Sequence, residues 1–269
     1  MDERDWYDTP HYYDIIFGED TATEATFLEV MHHRHGLGKS GKPGAVLEPA
    51  CGSGRLMHEL ARRGWRVAGF DRSEAMLNYA DARLAGDGLD GTAPLLWRDG
   101  MEDFRVPRGR KFDLAHCLVS TFKYLLTEAE ALACLQRVAA ALRPGGVFVL
   151  GLHLTDYQNP AITHERWVGE RDGLRVTCNT RTWPVDQRRR RERLRTRLRI
   201  ETVAAADGEL REQETHWEFR TYSASQVRTL IRKVPELTVV ACHDFHHDPD
   251  EVREFDDSYS DLVVVLRRR

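Results

Sequence analysis

Short apolar runs alternate with segments of helical spacing between residues 45 and 154. Each apolar run is four to seven residues long, which is typical of a buried strand, and each following segment places apolar residues on one helical face. The five runs are Val46–Pro49, Trp65–Phe70, Leu95–Arg98, Phe112–Leu118 and Val147–Leu150. Strands that alternate with helices in this way predict a parallel sheet covered on both faces.

The period changes after His153. Apolar and polar residues then alternate with period two over Trp167–Val185 and Glu192–Tyr222, and Asp207–Gly208 is a tight-turn signal. In the second run Leu194, Thr196, Leu198 and Ile200 share one face, while Arg193, Arg195, Arg197 and Arg199 share the other. We expect an inserted antiparallel sheet of three or four strands.

Signals at both ends of the chain complete the predicted organisation. The first part of the N-terminal segment is aromatic, and residues 22–35 have a helical pattern. Ser223–Gln226 resembles a capping box that starts a helix, and two further strands are expected at Leu237–Phe245 and Asp261–Leu266. The predicted divisions are an N-terminal helical cap (1–36), a core (37–154 with 223–269) and an antiparallel insert (155–222).

Composition narrows the class of protein. The 269 residues are 41% hydrophobic and 30% charged, and no run approaches the roughly 20 apolar residues of a membrane helix. The acidic start of the chain is unlike a secretory signal, and five scattered cysteines indicate reduced thiols in a cytoplasm. A net charge of -4 disfavours general attraction to nucleic acid. No spacing typical of zinc ligands is present, and the acidic segment around His246 and His247 is expected to be a surface loop, so no metal is predicted.

The turn Glu48–Gly54 carries the strongest chemical signal. It joins an apolar run to a helix, so its glycines and the free N–H groups of the helix could receive a nucleotide-type ligand. Met57 stands where the dinucleotide fingerprint has its third glycine. Glu48 would repel a diphosphate and attract an ammonium group. Both points favour S-adenosylmethionine, which carries an amino acid end and no phosphate.

Acidic residues follow the next two predicted strands. Asp71 comes about 20 residues after the glycine turn, the distance at which a carboxylate reaches ribose hydroxyls, and Ser73 then caps a helix. Asp99 could accept a hydrogen bond from an adenine amino group. Purely structural roles remain possible: Asp71 could be a helix-entry residue, Asp99 a turn residue and Met101 a core residue.

These motifs, with Leu142–Gly146 where a helix stops before the fifth strand, resemble the class I S-adenosylmethionine-dependent methyltransferases over residues 7–154. The sequence is most similar to small-molecule N-methyltransferases of the glycine and amino-sugar types, which also carry a Tyr-Asp pair near the start, here Tyr13-Asp14. The resemblance implies an α/β, Rossmann-like sheet of seven mostly parallel strands in the order 3-2-1-4-5-7-6, with the antiparallel insert after strand five.

The resemblance and the residues together give a predicted site. Tyr13 and His153 are the candidates for a catalytic role, although Tyr13 could be a core aromatic and His153 a solvent-facing histidine. Lys123 is expected to be a surface residue. The predicted cofactor-binding residues are Tyr13, Glu48, Ala50, Cys51, Gly52, Gly54, Asp71, Arg72, Met76, Asp99, Gly100, Met101 and Cys117.

The predicted reaction is direct methyl transfer to a small molecule. We expect a nitrogen acceptor, because no acid–base dyad is evident in the sequence. The arginine run Arg188–Arg191 continues into a strand whose return partner carries glutamates, so a solvated charged face is the simpler interpretation. The alternatives are a methyltransferase acting on RNA or protein, and a non-catalytic cofactor-binding module. The chain could be a monomer or a homodimer.

Overall fold

A computed structural model describes residues 2–3, 5–37, 42–86, 93–203 and 210–269. The predicted turn at Asp207–Gly208 lies outside these residues. The helices are α1 (Pro10–Phe17), α2 (Thr21–His35), α3 (Arg55–Arg62), α4 (Glu74–Gly86), α5 (Glu128–Ala141) and α6 (Ala224–Arg232). The strands are β1 (Asp2–Glu3), β2 (Ala45–Pro49), β3 (Arg66–Asp71), β4 (Leu95–Arg98), β5 (Phe112–Cys117), β6 (Leu142–His153), β7 (Thr163–Arg171), β8 (Leu174–Thr182), β9 (Arg191–Thr202), β10 (Leu210–Arg220), β11 (Leu237–His243) and β12 (Asp261–Arg268).

The larger sheet has seven strands in the order β11-β12-β6-β5-β2-β3-β4. The strands from β6 to β4 are parallel, while β12 runs antiparallel to both β6 and β11. When these strands alone are numbered along the chain, the order is the predicted 3-2-1-4-5-7-6. The predicted seven-stranded, mostly parallel fold is therefore confirmed.

Helix starts follow the local sequence signals. Ser73 accepts a hydrogen bond on its hydroxyl from the backbone N of Met76 at 3.2 Å, in the first turn of α4. The predicted capping box of α6 is present, with Ser223 and Gln226 satisfying each other's backbone N–H groups. These side chains replace the hydrogen-bond partners that the first turn of a helix lacks.

The core lies on both faces of the larger sheet. Phe70, Leu135 and Phe148 belong to the cluster on the α5 and α6 side, whereas Phe27 and Leu60 belong to the cluster on the α2 and α3 side. Every residue of β2 is buried, as expected for a central parallel strand between two helical layers. The carboxyl ends of β2, β3 and β5 are consequently held at one rigid edge.

The second sheet has the order β1-β10-β9-β8-β7. Its four long strands are antiparallel, and the two-residue β1 pairs in parallel with β10. The inner face packs Leu198 and Ile200 with Ile15 of α1. On the outer face Arg197 lies opposite Glu214 and forms an ion pair with it. Across the described ranges, no helix is long and apolar enough to cross a membrane.

Candidate active site

The glycine turn opens a crevice at the carboxyl end of β2. Gly52 and Gly54 have positive φ values of 53° and 69°. A Cβ on Gly54 would lie 2.8 Å from the Cβ of Ala80, so α4 packs directly against this glycine. A Cβ on Gly52 would meet nothing within 4 Å, so the space above this residue is open. The turn is therefore fixed by packing on one side and free to receive a ligand on the other.

Glu48 lies at the base of this crevice. It is 8% exposed, and its Oε2 atom has no hydrogen-bond partner. Burial raises the pKa of Glu48 to about 8, against the lowering effect of the nearby Arg55 guanidinium, while the charges of Glu24 and Asp71 raise it further. An unpaired buried carboxyl of this kind would be stabilised by a cationic ligand group.

Two residues around Glu48 were not found from the sequence. Arg55, in the first turn of α3, is ion-paired with the buried Glu24 of α2. His116 of β5 is fully buried, and its Nδ1 atom lies 3.8 Å from Oε1 of Glu48. Burial lowers the pKa of His116 to about 3, so this ring is neutral. The adjacent strands β2 and β5 bring the two groups together, and nothing in the local sequence indicates the pairing.

Asp71, at the end of β3, is hydrogen-bonded to the turn that follows β2. One carboxylate oxygen accepts from the backbone N of Gly52 at 2.9 Å, and the other accepts from that of Ser73 at 2.8 Å. Burial raises the pKa of Asp71 although these backbone hydrogen bonds oppose the shift. Asp71 thus lies beside the glycine turn and also binds Ser73, the residue before α4.

Asp99 organises the loop after β4. Its carboxylate accepts hydrogen bonds from the backbone N atoms of Gly100 (3.1 Å) and Arg105 (2.9 Å) and from Nε1 of Trp97 (3.3 Å). The backbone N of Asp99 donates to the carbonyl of Asp71 at 3.2 Å. This network holds the loop next to the end of β3.

The Tyr-Asp pair links the N-terminal segment to the crevice. Tyr13 lines the crevice together with Glu48, and its ring packs at 5.2 Å from that of Trp6. Asp14 is 1% exposed and accepts hydrogen bonds from Ser53 Oγ (2.7 Å), from Arg171 of β7 (2.6 Å) and from Arg83 of α4. These hydrogen bonds and ion pairs lower the pKa of Asp14 despite its burial. One carboxylate therefore joins α1, the glycine turn, α4 and the insert.

A His–Asp pair that is not evident in the sequence lies at the end of β6. His153 Nδ1 lies 2.7 Å from Asp261 Oδ1, because the antiparallel register of β6 and β12 places the two residues opposite each other. The backbone N of His153 donates to Ser120 Oγ at 2.7 Å. The partners are 108 residues apart, and only the strand pairing reveals them.

Lys123 is buried, so its expected surface position was wrong. It is 2% exposed, and its Nζ atom donates to Glu192 of β9 at 2.6 Å. The neighbouring Tyr124 hydroxyl accepts a hydrogen bond from the Tyr7 hydroxyl at 2.8 Å. The turn after β5 consequently contacts both the insert and the N-terminal segment.

The predicted cofactor residues fall into three groups. Those that line the crevice are Tyr13, Glu48, Ala50, Cys51, Gly52 and Cys117, together with the unpredicted Pro49, Ser53, Arg55, Leu56, Leu118, Val119 and Thr121. Outside the lining, in or next to the turns and loops that follow β2, β3 and β4, are Gly54, Asp71, Arg72, Asp99 and Gly100. Met76 (0% exposed) and Met101 (8%) are core side chains in this structure. His153 lies outside the crevice lining, beside Ser120, which precedes the lining residue Thr121.

Residues 46–146 match the family model described as a methyltransferase domain. The chain is 33% identical over 141 residues to a dTDP-3-amino-3,6-dideoxy-alpha-D-glucopyranose N,N-dimethyltransferase of Streptomyces fradiae, covering 51% of this chain and 50% of that protein. It is 43% identical over 147 residues to a ribosomal RNA small subunit methyltransferase C of Alcanivorax borkumensis, covering 51% and 42%. The chain thus spans about half the length of the curated relatives it matches. The fold of Streptomyces venezuelae DesVI covers 97% of this chain and 98% of that one, with a TM-score of 0.73 at 22% identity.

The parallel core, the glycine turn and the acidic strand ends, with this match, make the chain similar to the class I S-adenosylmethionine-dependent methyltransferases. Within that class the chain is similar to the amino-sugar N-methyltransferases. The residues of the crevice fit the cofactor of the class: the unpaired Glu48 oxygen suits an ammonium group, and the open space over Gly52 admits a ligand against bare main chain.

Proposed function

We propose that this chain transfers a methyl group from S-adenosylmethionine to an amino nitrogen of a small molecule. The observation that carries the proposal is the buried Oε2 atom of Glu48, which has no hydrogen-bond partner and lies at the base of an open glycine turn. An ammonium group there would be desolvated beside one negative charge, whereas a diphosphate would be repelled.

Each side chain of the crevice has a distinct proposed role. Glu48 holds the ammonium of the methionine portion, with the backbone of Gly52 beside it. Asp71 holds the ribose hydroxyls with the lone pairs that its two backbone hydrogen bonds leave free. Asp99 fixes the Gly100–Met101 loop along the adenine, and its carboxylate can accept from the adenine amino group. Met76 and Cys117 support these positions by packing, and Arg72 lies beside Gly100 in the loop after β4.

The bound cofactor supplies a methyl group that is already activated on a sulfonium. The protein must align the acceptor nitrogen and exclude water, and such positioning is worth up to about 7–11 kcal/mol of barrier. The rings of Trp6 and Tyr7 pack against Tyr13, the aromatic residue that lines the crevice. We propose that the 1–36 cap and the 155–222 insert together form the acceptor chamber over the core.

The His153–Asp261 dyad is proposed to remove the proton from the acceptor ammonium. Asp261 orients the ring, and the hydrogen bond from His153 lowers the pKa of Asp261. His153→Gln should lower kcat by about 10²–10⁴-fold with little change in cofactor affinity. Asp261→Asn should lower kcat less and leave the pH profile shifted. An unchanged kcat in His153→Gln would assign proton removal to another group, with Tyr13 the next to test.

Cofactor binding tests the proposal directly. Calorimetry should give micromolar affinity for S-adenosylmethionine and S-adenosylhomocysteine, about -8 kcal/mol. Asp71→Ala should weaken both strongly, while the nearby surface variant Glu74→Gln should not. Stronger binding of NAD than of either compound would refute the proposal.

The acceptor is proposed to be an amino sugar or a similar small amine, with the protein acting in the cytoplasm as a monomer or homodimer. The named activity of the Streptomyces fradiae relative supports this class. RNA is the second candidate, because the outer face of the insert groups Arg181, Arg193 and Arg195 around Trp183 and a ribosomal RNA methyltransferase is among the relatives. A methyl-transfer panel of amino sugars, amino acids and ribosomal RNA separates the two: turnover of RNA alone would replace the first candidate.

A further inference from the structure

A second cavity, of about 130 Å³, lies away from the crevice. It is enclosed by the end of β10, the first turns of α5 and α6 and the turn before β9. Its lining residues are Glu128, Arg190, Arg220, Tyr222, Ser225, Gln226, Thr229 and Leu230, and none of them lines the crevice.

Three hydrogen-bond donors of this lining are buried without an acceptor. They are Nε of Arg190, Nε of Arg220 and the hydroxyl of Tyr222. Arg220 is 8% exposed and Tyr222 is 1% exposed, so water in the bulk does not reach these atoms freely. A buried donor without a partner costs free energy, and three of them on one cavity indicate a missing acceptor.

The charges around the cavity favour an anion. Arg190 and Arg220 both place their guanidinium groups over the Tyr222 ring, at 5.5 and 5.7 Å from its centre. Glu128 is the acidic residue of the lining; it lies 3.6 Å from Arg220 and 3.9 Å from Arg190 and also contacts Lys233, which is outside the lining. Two guanidinium groups against one carboxylate leave an excess of positive charge on the lining.

We propose that this cavity binds the phosphate group of a small ligand, either orthophosphate or a phosphate monoester. Phosphate offers several acceptor oxygens, which suits two guanidinium groups and a phenol hydroxyl that converge on one space. The hydroxyl of Ser225, in the first turn of α6, also lines the cavity and is a further donor, with Ser223 Oγ 2.9 Å away as its neighbour. The site is separate from the proposed transfer reaction and does not depend on it.

The cavity is connected to the core through Tyr222, whose ring packs 6.1 Å from that of Phe122 in the turn after β5. Tyr222 is 1% exposed, so its position is fixed by packing.

Titration of the full chain with orthophosphate, phenyl phosphate and chloride at constant ionic strength tests the site, with calorimetry as the measurement. Orthophosphate should bind with a millimolar or lower Kd and chloride should not. Tyr222→Phe removes only the unpartnered hydroxyl, so the folded protein should be preserved while phosphate affinity falls at least tenfold. Arg190→Gln should have a similar effect, and its charge-matched control, Arg188→Gln on the exposed part of the same turn, should stay within twofold of wild type.

Two outcomes identify the ligand. Binding of orthophosphate alone indicates the free ion, and equal or tighter binding of phenyl phosphate indicates a phosphorylated metabolite. If neither binds, or if Tyr222→Phe and Arg190→Gln bind phosphate as wild type does, the proposal is wrong.

Discussion

Glu48 shows how one residue couples ligand binding to proton release. Its pKa is raised to about 8, so the carboxyl is protonated in the ligand-free protein at neutral pH. An ammonium group beside it favours the carboxylate instead. The proposed ligand should therefore bind together with the loss of a proton.

This coupling predicts a pH-dependent affinity. Between pH 6 and 7.5 the amino group of S-adenosylhomocysteine stays largely charged, so its affinity should rise by up to about tenfold per pH unit. Calorimetry in two buffers of different ionisation enthalpy should detect release of nearly one proton. Glu48→Gln should bind weakly with no such slope, and a flat profile in the wild-type protein would contradict the assignment.

The same residue predicts a stability trend without ligand. Because the folded-state pKa is raised above the ordinary value of 4.5, the contribution of Glu48 to stability is fully present below about pH 4.5 and is lost as the pH rises towards 8. Glu48→Gln should therefore gain stability relative to wild type between pH 5 and pH 8, by a few kcal/mol. Urea unfolding at the two pH values measures the difference, and a constant difference would argue against a raised pKa.

At the scale of elements, the turn after β5 is joined to the insert by the Lys123–Glu192 pair. The side chains are 3% and 12% exposed, so each charge depends on the other for compensation. When such a pair is buried, removal of one partner lowers the stability of the fold much more than removal of both, because it leaves one buried charge unpaired.

Single and double substitutions should reveal that asymmetry. Lys123→Met should destabilise the protein by about 3–5 kcal/mol because it leaves Glu192 buried and unpaired. The double variant Lys123→Met with Glu192→Gln should recover a large part of this loss. Chemical unfolding of the set measures the coupling, and strictly additive effects would show that the pair contributes nothing as a pair.

Over the whole molecule, the two sheets and the N-terminal segment form one folded unit around the proposed cofactor crevice. Ligand that binds only the folded chain should stabilise all of it. At 100 times its Kd, S-adenosylhomocysteine should add about 2.7 kcal/mol and raise Tm by roughly 5–10 °C. Differential scanning calorimetry measures the shift, Asp71→Ala should show little of it, and NAD should produce none.

The parts of this molecule that the sequence predicts are those with local signatures. The glycine turn, Asp71 and Asp99 each stand at the end of an apolar run, so the parallel core and its edge could be placed in advance. His153 and Asp261, or Lys123 and Glu192, carry no such signature. Their pairing depends on which strands become neighbours, and a lone histidine or lysine in a sequence does not indicate a partner 108 or 69 residues away.

The hydrogen bonds of Asp14 limit how the insert could be replaced by that of a related protein. Its carboxylate accepts hydrogen bonds from Ser53, Arg83 and Arg171, which come from three separate stretches of chain. A chimera that imports a foreign insert without an arginine at position 171 would leave Asp14 with one cation fewer. Exchange of the insert should therefore succeed only when the residue at position 171 can still pair with Asp14.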